Sequence, residues 1–215
     1  MKITAADVNK LRQLTGAGMM DCKKALTEAN GDMEKAVEVL RKMGLKDVAK
    51  REGKVAAEGT IGTYSHAGDQ IVAIVELNCE TDFVARGDEF KDVARGLAMH
   101  VAAMGPIYVN IDDVPEEILA KEKEILMETL NEKQKEMADK ILPGKLSKFY
   151  EDSVLVCQKY VRDDSKTVQT IIEELSARCG EKVTLRRFER FQVGEGIEKK
   201  QENLADEVAA TIAGS

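Results

Sequence analysis

Covalent chemistry in this sequence would fall to a cysteine, and Cys79 is the candidate, but a thiolate needs a base or cation beside it. Neither His66 nor His100 stands at a recognised spacing from Cys79. Cys22, Cys79, Cys157 and Cys179 are far apart, contain no CxxC and share the chain with only those two histidines. That pattern signals neither a zinc site nor a disulfide framework, so reduced and mostly buried thiols are expected, with no metal or cofactor. Asp112-Asp113 and Glu116-Glu117 pair carboxylates at a helix start, where negative charge suits the macrodipole and capping is the role expected. The sequence contains no GxxxxGK[ST], no GxGxxG after a strand, no HExxH and no GxSxG, and Gly16-x-Gly18 and Gly194-x-Gly196 are too short to cradle phosphate.

Contact chemistry is better represented. An apolar run from Ile71 to Leu77 passes abruptly into Asn78-Cys79-Glu80-Thr81-Asp82-Phe83-Val84-Ala85-Arg86, a polar turn carrying one large aromatic. Phe is usually a core residue, so a Phe on a turn leaving a strand reads either as a plug for its own domain or as an anchor for another protein's pocket. Met19 and Met20 adjoin a glycine turn. Two adjacent helical residues cannot both point into one core, so at least one of these adaptable side chains is expected outside.

The elements that must carry these residues can be read from periodicity. Thr4-x-x-Asp7 is a capping box opening a short helix with Val8 and Leu11 on its apolar face. After Gly16-Ala17-Gly18, a second helix carries Cys22, Ala25, Leu26 and Ala29, and a third carries Met33, Ala36, Val37 and Leu40 as far as Gly44. Three short helices sharing one core make a small bundle over 1–45. The charged stretch 46–58 reads as a partly helical linker. Strands are expected over 59–65 and 70–78 around a His66-Ala67-Gly68-Asp69 turn, followed by a helix with the stripe Phe90, Val93, Ala94, Leu97, Ala98, Val101 and Met104. A further helix starts near Pro115 with Ile118, Leu119, Ile125, Leu126 and Leu130 as its buried face. A helical stretch around Met137 and Ile141 is expected to stop near Pro143-Gly144, with another carrying Leu146, Phe149, Tyr150 and Val154. A last core helix carries Val168, Ile171, Ile172 and Leu175 before Gly180, and 183–193 reads as a strand. An isolated hairpin is marginal, so that strand should complete an antiparallel three-stranded sheet, with a bulge near Arg186-Arg187 where the apolar phase slips. The fold class is therefore α+β: a three-helix bundle, a core domain over 59–194 in which helices pack on the sheet, and a helical tail over 195–215 with Leu204, Val208 and Ile212 on one face.

The chain has 215 residues, 43% hydrophobic and 33% charged, with a net charge of −7. Basic residues alternate with acids, which argues against nucleic acid as the direct ligand. No run of about 18 apolar residues suits a membrane span, and MKITAADVNK lacks the apolar core of a signal peptide, so the expected location is the cytoplasm.

NCETDFVAR, together with LRQLTGAGMMDCKKALTEANGDMEKAVEVLR over Leu11 to Arg41, resembles bacterial elongation factor Ts. So do VAAEGTIGTY, the SKTV stretch and RRFERFQVGEGIEK, and the likeness covers nearly the whole chain. The resemblance implies a non-enzymatic guanine-nucleotide exchange factor whose partner is elongation factor Tu. It implies an N-terminal module resembling ubiquitin-associated domains that docks through Leu11, Met19 and Met20, and a tail that docks through Leu204, Val208 and Ile212. It further implies that Thr81, Asp82, Phe83 and Val84 insert beside the partner's nucleotide site and dislodge magnesium, then GDP. Longer members carry a second core subdomain and a protruding helical hairpin; one strand-hairpin unit is placed here, and short members of that kind pair, which is compatible with a homodimer and a two-to-two complex. Two other classes compete: an adaptor built on the three-helix module, which would not require TDFV, and a small enzyme using Cys79, which would turn over a substrate without a GTPase.

Overall fold

The computed structural model describes residues 3–197 except positions 16, 52, 67 and 136, and describes no side chain of 45–50 or 133. Two apolar cores organise it. The smaller lies among α1 (Ala5–Thr15), α2 (Met19–Glu28) and α3 (Met33–Lys50), where Leu11, Cys22, Ala25, Leu26 and Ala36 are fully buried. The capping box forms as expected: the Thr4 N–H donates to Asp7 Oδ2 at 3.0 Å and the Asp7 N–H to Thr4 Oγ1 at 3.3 Å. α3 differs from expectation. It runs through Gly44 to Lys50, taking in the first part of the expected linker, and Gly44 faces Ala177 of a later helix. A glycine with no following proline does not stop a helix whose turns are held by packing; its cost is about 1 kcal/mol.

The larger core lies between a sheet and two helices. β1 (Glu58–Ser65), β2 (Ile71–Cys79) and β5 (Thr184–Gln192) form an antiparallel sheet in the order β1-β2-β5. Ala73, Val75, Leu77 and Cys79 alternate along β2 toward α5 (Asp88–Met104) and α9 (Val168–Cys179), and of the expected stripe Phe90, Ala94, Leu97, Ala98 and Val101 are buried, Val93 is half-buried and Met104, at the helix end, is exposed. Close approach of α5 to the sheet depends on Gly62, where a Cβ would lie 2.2 Å from the Ala94 carbonyl oxygen. The expected bulge is present: Glu76 pairs with Arg187 and Leu77 with Leu185, leaving Arg186 as the extra residue. Both arginines then reach Glu76, at 2.9 and 2.6 Å, and hold its carboxyl down to about 2.

Between α5 and α9 the chain forms α6 (Glu116–Glu128), the single turn α7 (Glu132–Lys135) and α8 (Ala138–Ser153), then a small hairpin of β3 (Lys159–Tyr160) and β4 (Asp163–Thr167) that periodicity did not reveal. Two expectations fail here. Ile118 and Ile125 are exposed rather than buried, whereas Leu119 and Leu126 are half-buried and Leu130, just beyond α6, is buried, so the covered row is offset from the two isoleucines. α8 is continuous through Pro143 and Gly144. Pro143 withholds one ladder bond, but the Asp139 carbonyl that would have received it sits at an exposed position where water can serve.

Candidate functional site

Phe83 sits on α4 (Asp82–Ala85), a single helical turn leaving β2, and is 84% exposed. Thr81 creates that turn. Extended at φ −126°, it is the N-cap, and its Oγ1 accepts from the Val84 N–H at 3.4 Å while its carbonyl accepts from the Ala85 N–H at 3.2 Å. Val84 packs inward against the large core and Ala85 is buried, so the same turn that anchors itself through these two residues drives Phe83 outward. Asp82 also faces solvent and pairs with Arg86 Nη2 at 2.9 Å. Beside Phe83 runs a groove of about 600 Å³ lined by Val84, Phe90, Leu175 and Cys179.

The turn is pinned from the far end of the chain. Glu181, in the loop after α9, accepts the Glu80 and Thr81 backbone N–H groups on Oε2, both at 3.0 Å, and the Thr81 hydroxyl on Oε1 at 2.6 Å. Glu80 answers: its Oε1 accepts the Lys182 N–H at 2.7 Å and its Oε2 the Lys54 ammonium at 2.7 Å. Those bonds, the Lys54 one first, hold the Glu80 carboxyl below the usual carboxylate range. Gly180 at φ 74° closes α9 and directs Glu181 toward the turn. Nothing local in the sequence marks Glu181, because its partners lie about a hundred residues away; a helix-ending glycine followed by a carboxylate is too common a pattern to select it.

The setting of Cys79 disfavours its thiolate. Burial, reinforced by the Glu181 charge, pushes its thiol up to about 11, and its Sγ donates to the Thr81 carbonyl at 3.2 Å. His100 is buried elsewhere against Gln158, and His66 contacts Tyr64. Among the described residues no group of three His, Cys, Asp or Glu side chains gathers as a metal site, and no helix is long and apolar enough to cross a membrane.

The other expected contact residues divide. Met19 and Met20 are 47% and 65% exposed at the start of α2, whereas Leu11 is fully buried and serves the bundle's own core. Leu204, Val208 and Ile212 lie outside the described residues. The described residues thus present an aromatic tip on a pinned turn and two exposed methionines on a separate small bundle.

The family model described as Elongation factor TS matches residues 2–195. Elongation factor Ts of Moorella thermoacetica is 56% identical over 202 residues, covering 93% of this chain and all 100% of that protein. The Geobacter sulfurreducens protein of the same name is 51% identical over 212 residues, 98% of each chain, and that of Acetivibrio thermocellus is 50% identical over 214, 99% of this chain and 100% of its own. The chain belongs to the elongation factor Ts family, whose general role is nucleotide exchange on elongation factor Tu in protein synthesis.

Proposed function

We propose that this chain binds elongation factor Tu in its GDP-bound form, presses the Thr81–Val84 turn beside the nucleotide site, dislodges magnesium and so promotes release of GDP, after which GTP binds. The observation that carries this reading is Phe83, 84% exposed on a turn whose leading backbone is held by Glu181. A ring carried on a backbone held this way meets a partner's pocket with the turn's ordering cost already met, and a hot-spot aromatic there is worth about 2 kcal/mol or more. Magnesium need not touch this chain. Because the ion holds the nucleotide's phosphate oxygens, displacing the partner's groups that support it weakens GDP. Linkage makes the effect reciprocal: nucleotide rebinding expels the exchange factor, so exchange runs in either direction.

Met19 and Met20 dock on the partner as a second contact, with Leu11 fixing the bundle that presents them. The tail, through Leu204, Val208 and Ile212, is a third contact. The units 1–45, 46–58, 59–194 and 195–215 then divide the labour, with the nucleotide-site turn on the core domain. The chain acts in the cytoplasm, without direct nucleic-acid contact. Pairing with a second copy is supported by the outer face of the sheet, where Ile61 and Phe191 are exposed and Val72 and Ile74 are half-buried with no layer over them among the described residues. Release of fluorescent GDP from elongation factor Tu tests the central step. F83A should keep the wild-type circular-dichroism spectrum and melting curve while stimulating release at least about 10-fold less. A melting transition that collapses in F83A would make Phe83 a core residue and remove the wedge.

A further inference from the structure

We propose that Glu181 is the positioning residue of the exchange turn: it sets the orientation in which Phe83 meets the partner without touching the partner itself. This rests on the reading of Phe83 as the working side chain. A one-turn helix of four residues has no stability of its own, since nucleation fixes several dihedrals for one hydrogen bond. Here α4 is held by its cap, and the cap is held by Glu181. One carboxylate takes three donors on the approach to the turn: the Glu80 N–H, the Thr81 N–H and the Thr81 hydroxyl, at 3.0, 3.0 and 2.6 Å. The hydroxyl that gives its proton to Glu181 receives the Val84 N–H on the same oxygen, so the grip is relayed into the helical turn itself. Charge-assisted bonds of this kind are shorter and about twice as strong as neutral ones. Glu80 returns the grip to the Glu181 loop through the Lys182 N–H. Lys54, on the segment leading from the helical bundle into β1, closes the set by donating to Glu80 while the Lys182 ammonium donates to the Lys54 carbonyl at 3.0 Å. Three pieces of chain remote in sequence therefore meet behind Phe83, and the carboxylate that reaches the turn from outside it is Glu181.

The effect of losing it should appear in the rate of the bound complex rather than in its formation. Misplacing a reacting or pressing group by about 1 Å can cost up to 100-fold, whereas the exposed docking residues are unaffected. The experiment measures fluorescent GDP release from elongation factor Tu across a range of chain concentrations for wild type, E181A, E181Q, F83A and the F83A/E181A double variant. For E181A the expected result is a maximal release rate lowered about 10-fold or more with a half-saturating concentration within about 3-fold of wild type. E181Q is isosteric, and its amide oxygen still accepts both backbone N–H groups, so it should recover much of the rate; it also serves as the informative variant if E181A melts early. In the F83A background, E181A should add nothing, because a residue acting only through Phe83 has nothing left to position. A wild-type maximal rate in E181A with F83A impaired would overturn the positioning role alone. A full additional loss in the double variant would overturn it too, placing Glu181 in some other step. A wild-type rate in F83A would overturn the reading of the turn and this proposal with it.

Discussion

Truncating Phe83 removes little from the chain's own core, since the ring is mostly in water, and this separates it from its neighbours Val84 and Ala85, whose loss would be felt as stability. Asp82 invites a different test. Its pairing with Arg86 joins two side chains that are 59% and 79% exposed, and such pairs contribute only about 0–1 kcal/mol, so the carboxylate is readily released to a new partner. If it acts on the groups that arrange the magnesium shell, D82A should slow GDP release several-fold in millimolar magnesium and much less in chelator. Equal defects in the two conditions would assign Asp82 to simple docking. At this scale the sequence singles out the right residues without deciding their side: the polar turn leaves Phe83 as either plug or anchor, and adjacent methionines require at least one outside, where both are found. It was silent on what holds the turn, because Glu181 meets Thr81 across a separation of a hundred residues and only the folded sheet brings them together.

The elements follow the same division between local and distant causes. Strand alternation, the α5 stripe and even the bulge at Arg186 were legible, since each is written in the period of apolar residues. The continuity of α8 through Pro143 was not, because propensity there is overridden by packing of Leu146 and by solvent at the carbonyl left without a donor. The face of α6 was legible only in part for a related reason: Ile118 and Leu119 both look apolar in sequence, and only the packed fold, in which α6 lies on α8, decides which row is covered. The contact of α5 with β1 predicts that G62A will be destabilising by about 1–3 kcal/mol, because its Cβ would meet backbone rather than a side chain that can move; chemical denaturation measures it, and an unchanged midpoint would show that the helix shifts freely. His100 predicts a pH dependence. The Val161 N–H donates to its Nδ1 at 3.1 Å, so Nε2 carries the proton shared with Gln158 Oε1 at 2.9 Å and the ring is neutral. Burial holds its folded pKa below the ordinary 6.5, so the unfolded chain binds the proton first. Stability from this group is full above about 6.5 and declines by up to roughly 1.4 kcal/mol per pH unit as pH falls toward the lowered folded value. Melting curves from pH 7.5 to 5 should show this slope in wild type and a shallower one in H100Q; identical slopes would acquit His100.

For the whole molecule, the proposed contacts lie on two cores, and the proposal divides holding the partner from acting on it. The small bundle carries Met19 and Met20, the large domain carries Phe83, and α3 joins the two by packing on α9 where Gly44 faces Ala177. The uncovered sheet face adds a third surface: F191E should convert any dimer seen by sedimentation at micromolar concentration to a species of 23.7 kDa, and a wild-type chain already at that mass would exclude pairing there. The measurement bearing most directly on the division of labour is the saturation curve for GDP release from elongation factor Tu driven by wild type, F83A and the M19A/M20A double variant. F83A should lower the plateau rate with little change in the concentration giving half of it, and M19A/M20A should raise that concentration while leaving the plateau. A plateau in F83A equal to wild type would contradict the account.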